Sequence, residues 1–517
     1  MNRREWLLAA AGSTIMRASA ETTWNARNTS QRHTFKVAVS ARPDGVLANR
    51  LVLGQNLQWV DGGDGLLDRN GQPRQVMLER LRALQPTSLR FPGGAQSDAY
   101  RWKRAMGALT DRSDNLHFHR KQMQPSIVGT QEFLELCEFV AAVPVITVNT
   151  VTGTADEAAD WIRLTNKTGL ISRITGKRLP SVTYWEIGNE PYLKEGDETQ
   201  RVAPAEYIKR ANAFIRALRA VDPSIKIGVP LRTATIGGLQ ATPYPDFARD
   251  VLVGVNEPYD FISNHNAYMP YLYDRVPDEQ SLYWGTMAAT ATVSTNLDDM
   301  AALARSLKPG WKPVQAITEY NAMFTNGKGR TDELIDSQLG ALYLADLVRM
   351  MADRDDLLCC QYWSLSANWM FGAITEHGEG RANYVALRLL GDVIRGTKLG
   401  IRTECASFSA PRVGAVAPAT ELPLVTSLAT REAGVVKVLL INKDLDRPAT
   451  GRVELTDGTA RSAALVTMRV EKVFQIGQPR ESTLQRRPAD AGPASTGISL
   501  ELPAASVTVL TLELNTA

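Results

Sequence analysis

The chain is short of cysteine and histidine, carries almost no excess of charge, and has no long apolar run beyond its first twenty residues. Four cysteines in 517 residues cannot staple a chain of this length, so a disulfide scaffold is excluded. Cys359 and Cys360 stand side by side in an apolar stretch that reads as strand, and Cys137 falls on a helical face. These read as buried thiols, with a bridge from Cys137 or Cys405 left open. The formal charge is +3, and residues 1–20 alone hold three Arg and one Glu. The remainder is nearly neutral, so no basic excess argues for nucleic acid or anionic lipid as a partner. The apolar run that follows Arg4 ends by Met16, short of the roughly 20 residues that span a bilayer. No strand-like segment is followed by a glycine-rich phosphate loop, so no cofactor is expected. Low-complexity tracts and short-period repeats are also missing.

What is present is an ordinary globular composition, 44% hydrophobic and 22% charged, in a chain long enough for roughly two to four domains. Met1 to Leu8 opens with the paired Arg3 and Arg4, runs into apolar residues, and reaches Ala18-Ser19-Ala20. That order of charge, apolar run and small residues is an export signal with cleavage after Ala20. The arginine pair resembles the bacterial twin-arginine type, with an ordinary secretory signal as the alternative. Either one places the mature protein in the periplasm or outside the cell.

Residues 34–40 alternate as a half-buried strand. Strands and amphipathic helices then take turns, which argues for parallel βα units. The pattern predicts strands over Leu51–Leu57, Ser88–Phe91, Val143–Asn149, Val182–Ile187, Ile225–Val229, Phe261–Asn264, Val314–Thr318 and Leu357–Ser364. Helices are predicted between them, among others over Gln75–Leu84, Thr130–Val140, Ala155–Leu164 and Ala205–Val221. Eight such units make a (β/α)8 TIM barrel, with a doubly wound open sheet as the alternative. From about residue 400 helical spacing gives way to period-two alternation, which reads as an appended antiparallel β-sandwich domain. The division is 1–20 signal, 21–48 an N-terminal strand joining the sandwich, 49–398 barrel and 399–517 sandwich. Residues 478–497, polar and rich in Pro and Arg, are expected to form a long surface loop.

In a barrel the C-terminal tips of the strands share one cleft. Those tips carry Gln55, Asn56 and Gln58, then Arg90 before Phe91-Pro92-Gly93-Gly94, then Asn149. They continue with Asn189 and Glu190, with His265, Asn266 and Tyr268, with Glu319, and with Tyr362 and Trp363. Two carboxylates among amides and aromatics suit a polyol, so the partner is a carbohydrate substrate. Cleaving a glycosidic bond needs one carboxyl to protonate the leaving oxygen and a second at the anomeric carbon. Carboxyls about 5 Å apart give retention, and about 6.5–9.5 Å gives inversion. Glu186 shares a strand face with Glu190 but lies about 13 Å deeper, and is read as a member of the barrel interior. Arg90 beside one carboxylate would keep that one ionised. His117-Phe118-His119 has the look of a metal fragment, but no acidic or Cys partner accompanies it, and no metal site is expected.

Leu89-Arg90-Phe91-Pro92-Gly93-Gly94, Tyr184-Trp185-Glu186-Ile187-Gly188-Asn189-Glu190-Pro191 and Ile317-Thr318-Glu319-Tyr320-Asn321 resemble the clan A glycoside hydrolases. The nearest family is similar to family 51, the α-L-arabinofuranosidases. Val148 to Thr154 running into Asp156-Glu157-Ala158-Ala159-Asp160-Trp161 is similar to that family's third strand and helix. The resemblance implies a retaining mechanism with Glu190 as general acid/base and Glu319 as nucleophile. It also implies that Asn189 holds the hydroxyl beside the anomeric carbon, that His265 and Tyr268 line the pocket, and that Arg90 sits behind the nucleophile. Gln58, Asn149 and Trp363 complete the expected substrate contacts. The chain departs from the family with Gln58-Trp59 in place of Glu-His, Ala95 in place of Cys, and Ala267 inserted before Tyr268. A β-glycosidase such as a β-glucuronidase or β-xylosidase of a related clan A family is the same-class alternative. A non-catalytic carbohydrate-binding protein is the alternative of a different class.

Overall fold

Tyr184–Ile187 is a barrel strand in which Trp185 and Ile187 face the helices and Glu186 faces the interior, as period two requires. The Trp185 indole meets the Trp161 ring of the helix Ala155–Ile162 with 6.0 Å between centroids. The computed structural model describes residues 32–43, 45–193, 202–232, 244–272, 276–324, 331–367, 369–489, 492 and 494–515. The export-signal reading falls on residues 1–20 and so lies outside the described residues.

Eight parallel strands close on themselves: Gly54–Asn56, Ser88–Phe91, Val143–Val148, Tyr184–Ile187, Lys226–Pro230, Phe261–Asn264, Val314–Met323 and Leu357–Tyr362. The last pairs with the first through Tyr362 and Gln55, and Val314–Ile317 pairs with Phe261–Asn264, so the sheet is a closed TIM barrel rather than an open one. Helices Gln75–Leu84 and Thr130–Val140 have the bounds their apolar spacing predicts. Thr154 caps its helix by accepting from the Glu157 N–H, with Asp156 and Glu157 in the first turn as the helix dipole favours. The first barrel strand is shorter than its sequence suggests. Arg50–Leu53 forms a 3-10 turn, and only three residues remain extended.

Two further sheets form the sandwich. The four-stranded one runs Ile401–Cys405, His33–Val39, Ala449–Leu455, Gly497–Leu502. His33–Val39 lies antiparallel to the first of its neighbours and parallel to the second. The six-stranded sheet has a different role on each face. Along Val435–Asn442, Val438 and Leu440 point into the core between the sheets, whereas Leu439 and Ile441 join the core of the barrel. Ser506–Leu514 divides in the same way, with Leu510 and Leu512 on one side and Val507 and Val509 on the other. Each such aliphatic side chain removed from water contributes about 1.5–3 kcal/mol. Beneath this seam Lys443 Nζ meets Asp346 Oδ2 of the helix Gln338–Asp353 at 2.6 Å, both side chains almost wholly buried. Gln485–Ala489 was expected within a surface loop, yet it pairs with Ala460–Met468 as an edge strand. Its side chains are exposed, so the pairing is made by the backbone and leaves no apolar alternation to read.

Candidate active site

Glu190 and Glu319 come together although they lie far apart in the chain. One oxygen of each and a ring nitrogen of His265 all lie within 4.8 Å of one another. Strand four delivers Glu190 through a turn in which Gly188 has φ +84° and Glu190 itself φ +43°. A Cβ on Gly188 would fall 2.4 Å from Thr150 Oγ1, so only glycine fits there. The left-handed conformation at Glu190 is costly for a residue with a side chain, and such strain concentrates at functional positions. Strand seven delivers Glu319, with a register shift against strand eight between Ile317 and Tyr320. That irregularity turns both Thr318 and Glu319 toward the site, where a regular strand would send them to opposite faces.

Arg90 is the hub beneath the two acids. Its side chain is fully buried, with Nε donating to Glu186 Oε2 at 2.7 Å and Nη1 to Glu319 Oε1 and Asn56 Oδ1 at 3.0 Å each. Nη2 donates to Asn189 Oδ1 at 2.8 Å. Glu186 also accepts from the Thr147 and Thr318 hydroxyls, both at 2.7 Å. Burial alone would raise the Glu186 carboxyl, but the Arg90 charge, with the hydrogen bond from Thr147, outweighs it and holds the group below its ordinary range. On the other side of Glu319, the Tyr268 hydroxyl donates to Oε2 at 2.8 Å. His265 bridges the site, with Nδ1 2.8 Å from Glu190 Oε1 and Nε2 3.0 Å from Thr318 Oγ1. Burial lowers its pKa against the pull of Glu319, so the imidazole is neutral near neutral pH.

The two acids differ in their partners. Burial pushes Glu190 up to about 7, with Arg90 and Arg232 only partly offsetting it. Burial also raises Glu319, and the facing Glu190 adds to that, while Arg90 and the Tyr268 hydroxyl pull the other way. Glu319 accepts from both a guanidinium and a phenol, so it ionises first and Glu190 keeps the shared proton. Two carboxyls whose surroundings separate them in this way can divide the roles of acid and nucleophile. The distance falls on the side of retention rather than on that of inversion, which needs about 6.5–9.5 Å.

The remaining sequence candidates sit at different distances from this centre. Trp363 is buried with its ring against Gly94, where a Cβ would lie 2.4 Å from Trp363 Cη2. Gln58 donates to Asp64 Oδ2 at 2.8 Å. Asn149 is occupied in its own turn: its oxygen accepts from the Val151 and Thr152 N–H groups and its NH2 donates to Tyr100 O and Thr152 Oγ1. His117 ties a hairpin, with Nδ1 accepting from the Arg120 N–H at 3.2 Å. Phe118 beside it lines the cleft with Asp98, Thr150, Asn189 and Glu190. Among the described residues, Glu190, His265 and Glu319 are the one cluster of donor atoms close enough to hold a metal ion. Both ring nitrogens of His265 are already engaged there, and Arg90 supplies positive charge at the same place. Thr318 and Thr147 escape sequence reading. Strand alternation turns Thr318 away from Glu319, and Thr147 carries no motif of its own.

Comparison with known proteins points in the same direction. The family model described as "Alpha-L-arabinofuranosidase 1 domain" matches residues 80–236. A probable α-L-arabinofuranosidase C of Aspergillus niger is 24% identical over 457 residues, 83% of this chain and 87% of the relative. The α-L-arabinofuranosidase C of Emericella nidulans is 32% identical over 173 residues, covering 32% of this chain and 34% of the relative. Among solved structures, an α-L-arabinofuranosidase from Thermotoga maritima in complex with arabinose superposes with a TM-score of 0.75 at 19% identity, covering 93% of this chain and 100% of that one. Barrel, appended sheets and matched relatives together make the chain a glycoside hydrolase similar to the α-L-arabinofuranosidases.

Proposed function

We propose that the protein is a retaining α-L-arabinofuranosidase that releases arabinofuranosyl groups from the side chains of polysaccharides or oligosaccharides. The observation that carries this reading is the approach of Glu190, Glu319 and His265 to within 4.8 Å, the spacing at which one carboxylate attacks while its partner donates a proton. In the first step Glu319 attacks the anomeric carbon as the Glu190 proton passes to the leaving oxygen and the glycosidic C–O bond breaks. In the second, water attacks that carbon, gives a proton to Glu190 and releases Glu319. Arg90 and Tyr268 hold Glu319 ionised and aimed. The NH2 end of Asn189, whose oxygen faces Arg90, is turned to the hydroxyl beside the anomeric carbon. Gln58 and Trp363 would shape the cleft wall, with Asn149 acting through the loop it fixes.

A panel of nitrophenyl glycosides tests the sugar. Release is expected from the α-L-arabinofuranoside with the product first appearing in the retained configuration by NMR. Turnover of a β-glucuronide or β-xyloside in its place would move the protein to a related pyranosidase. Glu319→Gln should abolish turnover while sugar binding persists; a parental rate in that variant would remove Glu319 from the nucleophile role. We also propose that the segment through Ala20 directs export, supported by its paired arginines and small-residue end. We divide the mature chain into a barrel over 49–398 and a sandwich over 399–517 joined by the N-terminal strand, a division supported by the pairing of that strand with Ile401–Cys405.

A further inference from the structure

The protons of one buried hydrogen-bond chain can be counted. Glu186 receives Arg90 Nε and Thr147 Oγ1 on Oε2 and Thr318 Oγ1 on Oε1, each at 2.7 Å. A carboxylate in contact with a guanidinium and surrounded by donors is ionised and can only accept. Thr318 has one hydroxyl proton, and it is directed at Glu186. Toward His265 Nε2, 3.0 Å away, the Thr318 oxygen must therefore accept, so Nε2 carries the hydrogen. A neutral imidazole has one N–H. Nδ1 is then bare, and it faces Glu190 Oε1 at 2.8 Å. The hydrogen between those two atoms belongs to the carboxyl.

We propose that Thr318, oriented by Glu186, is a positioning residue that fixes His265 as its Nε2–H tautomer and so keeps the proton on Glu190 before substrate binds. This rests on the reading of Glu190 as the proton donor. The arrangement serves both half-reactions. With its proton in place Glu190 is the acid for the departing oxygen. Once that proton has gone, Oε1 and Nδ1 face each other as two lone pairs, which favours recapture of a proton from the attacking water. The opposite tautomer would donate to Glu190 as carboxylate, so that less of it holds the proton needed for the first step and the carboxylate is a weaker base in the second. The other groups facing Glu190 are Arg90, Arg232, Glu186, Glu319, Tyr192 and Tyr268. The hydrogen-bond partner of His265 Nε2 is Thr318 Oγ1.

The tautomer can be read directly from the two imidazole nitrogens in long-range proton–nitrogen spectra of 15N-labelled protein near pH 6, with His265→Asn identifying the signal. The expected result is Nε2–H on His265. In Thr318→Val the ring loses its acceptor and turns to Nδ1–H, and the alkaline limb of kcat/KM moves down by about one pH unit, with Thr318→Ser restoring both. Nδ1–H in the parent protein overturns the proposal, as does a limb that stays in place in a folded Thr318→Val. Should the valine variant not fold, the spectrum of the parent decides alone. The two failures look different: loss of the acid role shows as Glu190→Gln at parental activity, whereas loss of this proposal shows as Nδ1–H in an enzyme that still needs Glu190.

Discussion

Removing Arg90 tests the electrostatic frame of the site. Its guanidinium is the positive charge in direct contact with both Glu186 and Glu319, and it is wholly buried. Arg90→Met keeps the apolar length but leaves two carboxyls facing each other in the barrel interior and strips Asn56 and Asn189 of their donor. Breaking a buried ion pair from one side costs about 3–5 kcal/mol, because the abandoned charge stays desolvated. The sign of the pH dependence follows. In the parent, Glu186 is held below its ordinary value of 4.5, which stabilises the fold above that value and is lost as pH falls through the folded one. In the variant, Glu186 shifts upward, so the unfolded chain ionises first and the penalty is greatest at neutral pH. It shrinks as the medium approaches the carboxylate range. Guanidinium unfolding followed by tryptophan fluorescence at neutral and mildly acidic pH measures both. A loss under about 1 kcal/mol at neutral pH, the scale of an exposed pair, or an equal loss at both pH values would refute the argument.

With Glu190 raised to about 7, kcat/KM should fall as pH rises through that value and the acid loses its proton. It should fall again at low pH as Glu319 is protonated, and Glu190→Gln should flatten the alkaline side in a pH–rate series. Lys443→Met should destabilise in thermal or denaturant unfolding, but by less than the about 3–5 kcal/mol of a fully stranded buried charge, because Asp346 keeps Arg349 Nε and the Thr426 hydroxyl at 2.8 Å each. In Gly94→Ala the new methyl meets the Trp363 ring at a position with φ +53°. A loss of about 1–3 kcal/mol in stability and a lower kcat/KM are expected; an unchanged enzyme would show that Trp363 does not shape the cleft.

Legibility in the sequence followed the kind of interaction. Gln75–Leu84 and Thr130–Val140 were readable because apolar spacing and first-turn chemistry are local. Leu51–Leu57 misled because an apolar run of that length reads as strand, whereas here its start is a 3-10 turn and only Gly54–Asn56 enters the barrel. Gln485–Ala489 could not be read at all, since an exposed edge strand held by backbone hydrogen bonds asks nothing of its side chains. Thr318 stayed hidden for a different reason. Strand alternation turns it away from Glu319, and only the register shift against strand eight brings both inward.

The sequence by itself determined that two glutamates would come to one rim of a barrel, because strand periodicity and the Gly-Asn-Glu-Pro stop are properties of neighbouring residues; Glu190 does follow a finished strand, whereas Val314–Met323 runs on past Glu319. The sequence could not determine which of the two holds the proton. That depends on a guanidinium from strand two, a phenol that follows strand six, and an imidazole whose tautomer is set by a threonine on strand seven and a glutamate on strand four. Charges and hydrogen bonds act through space, and those partners meet only when the barrel closes.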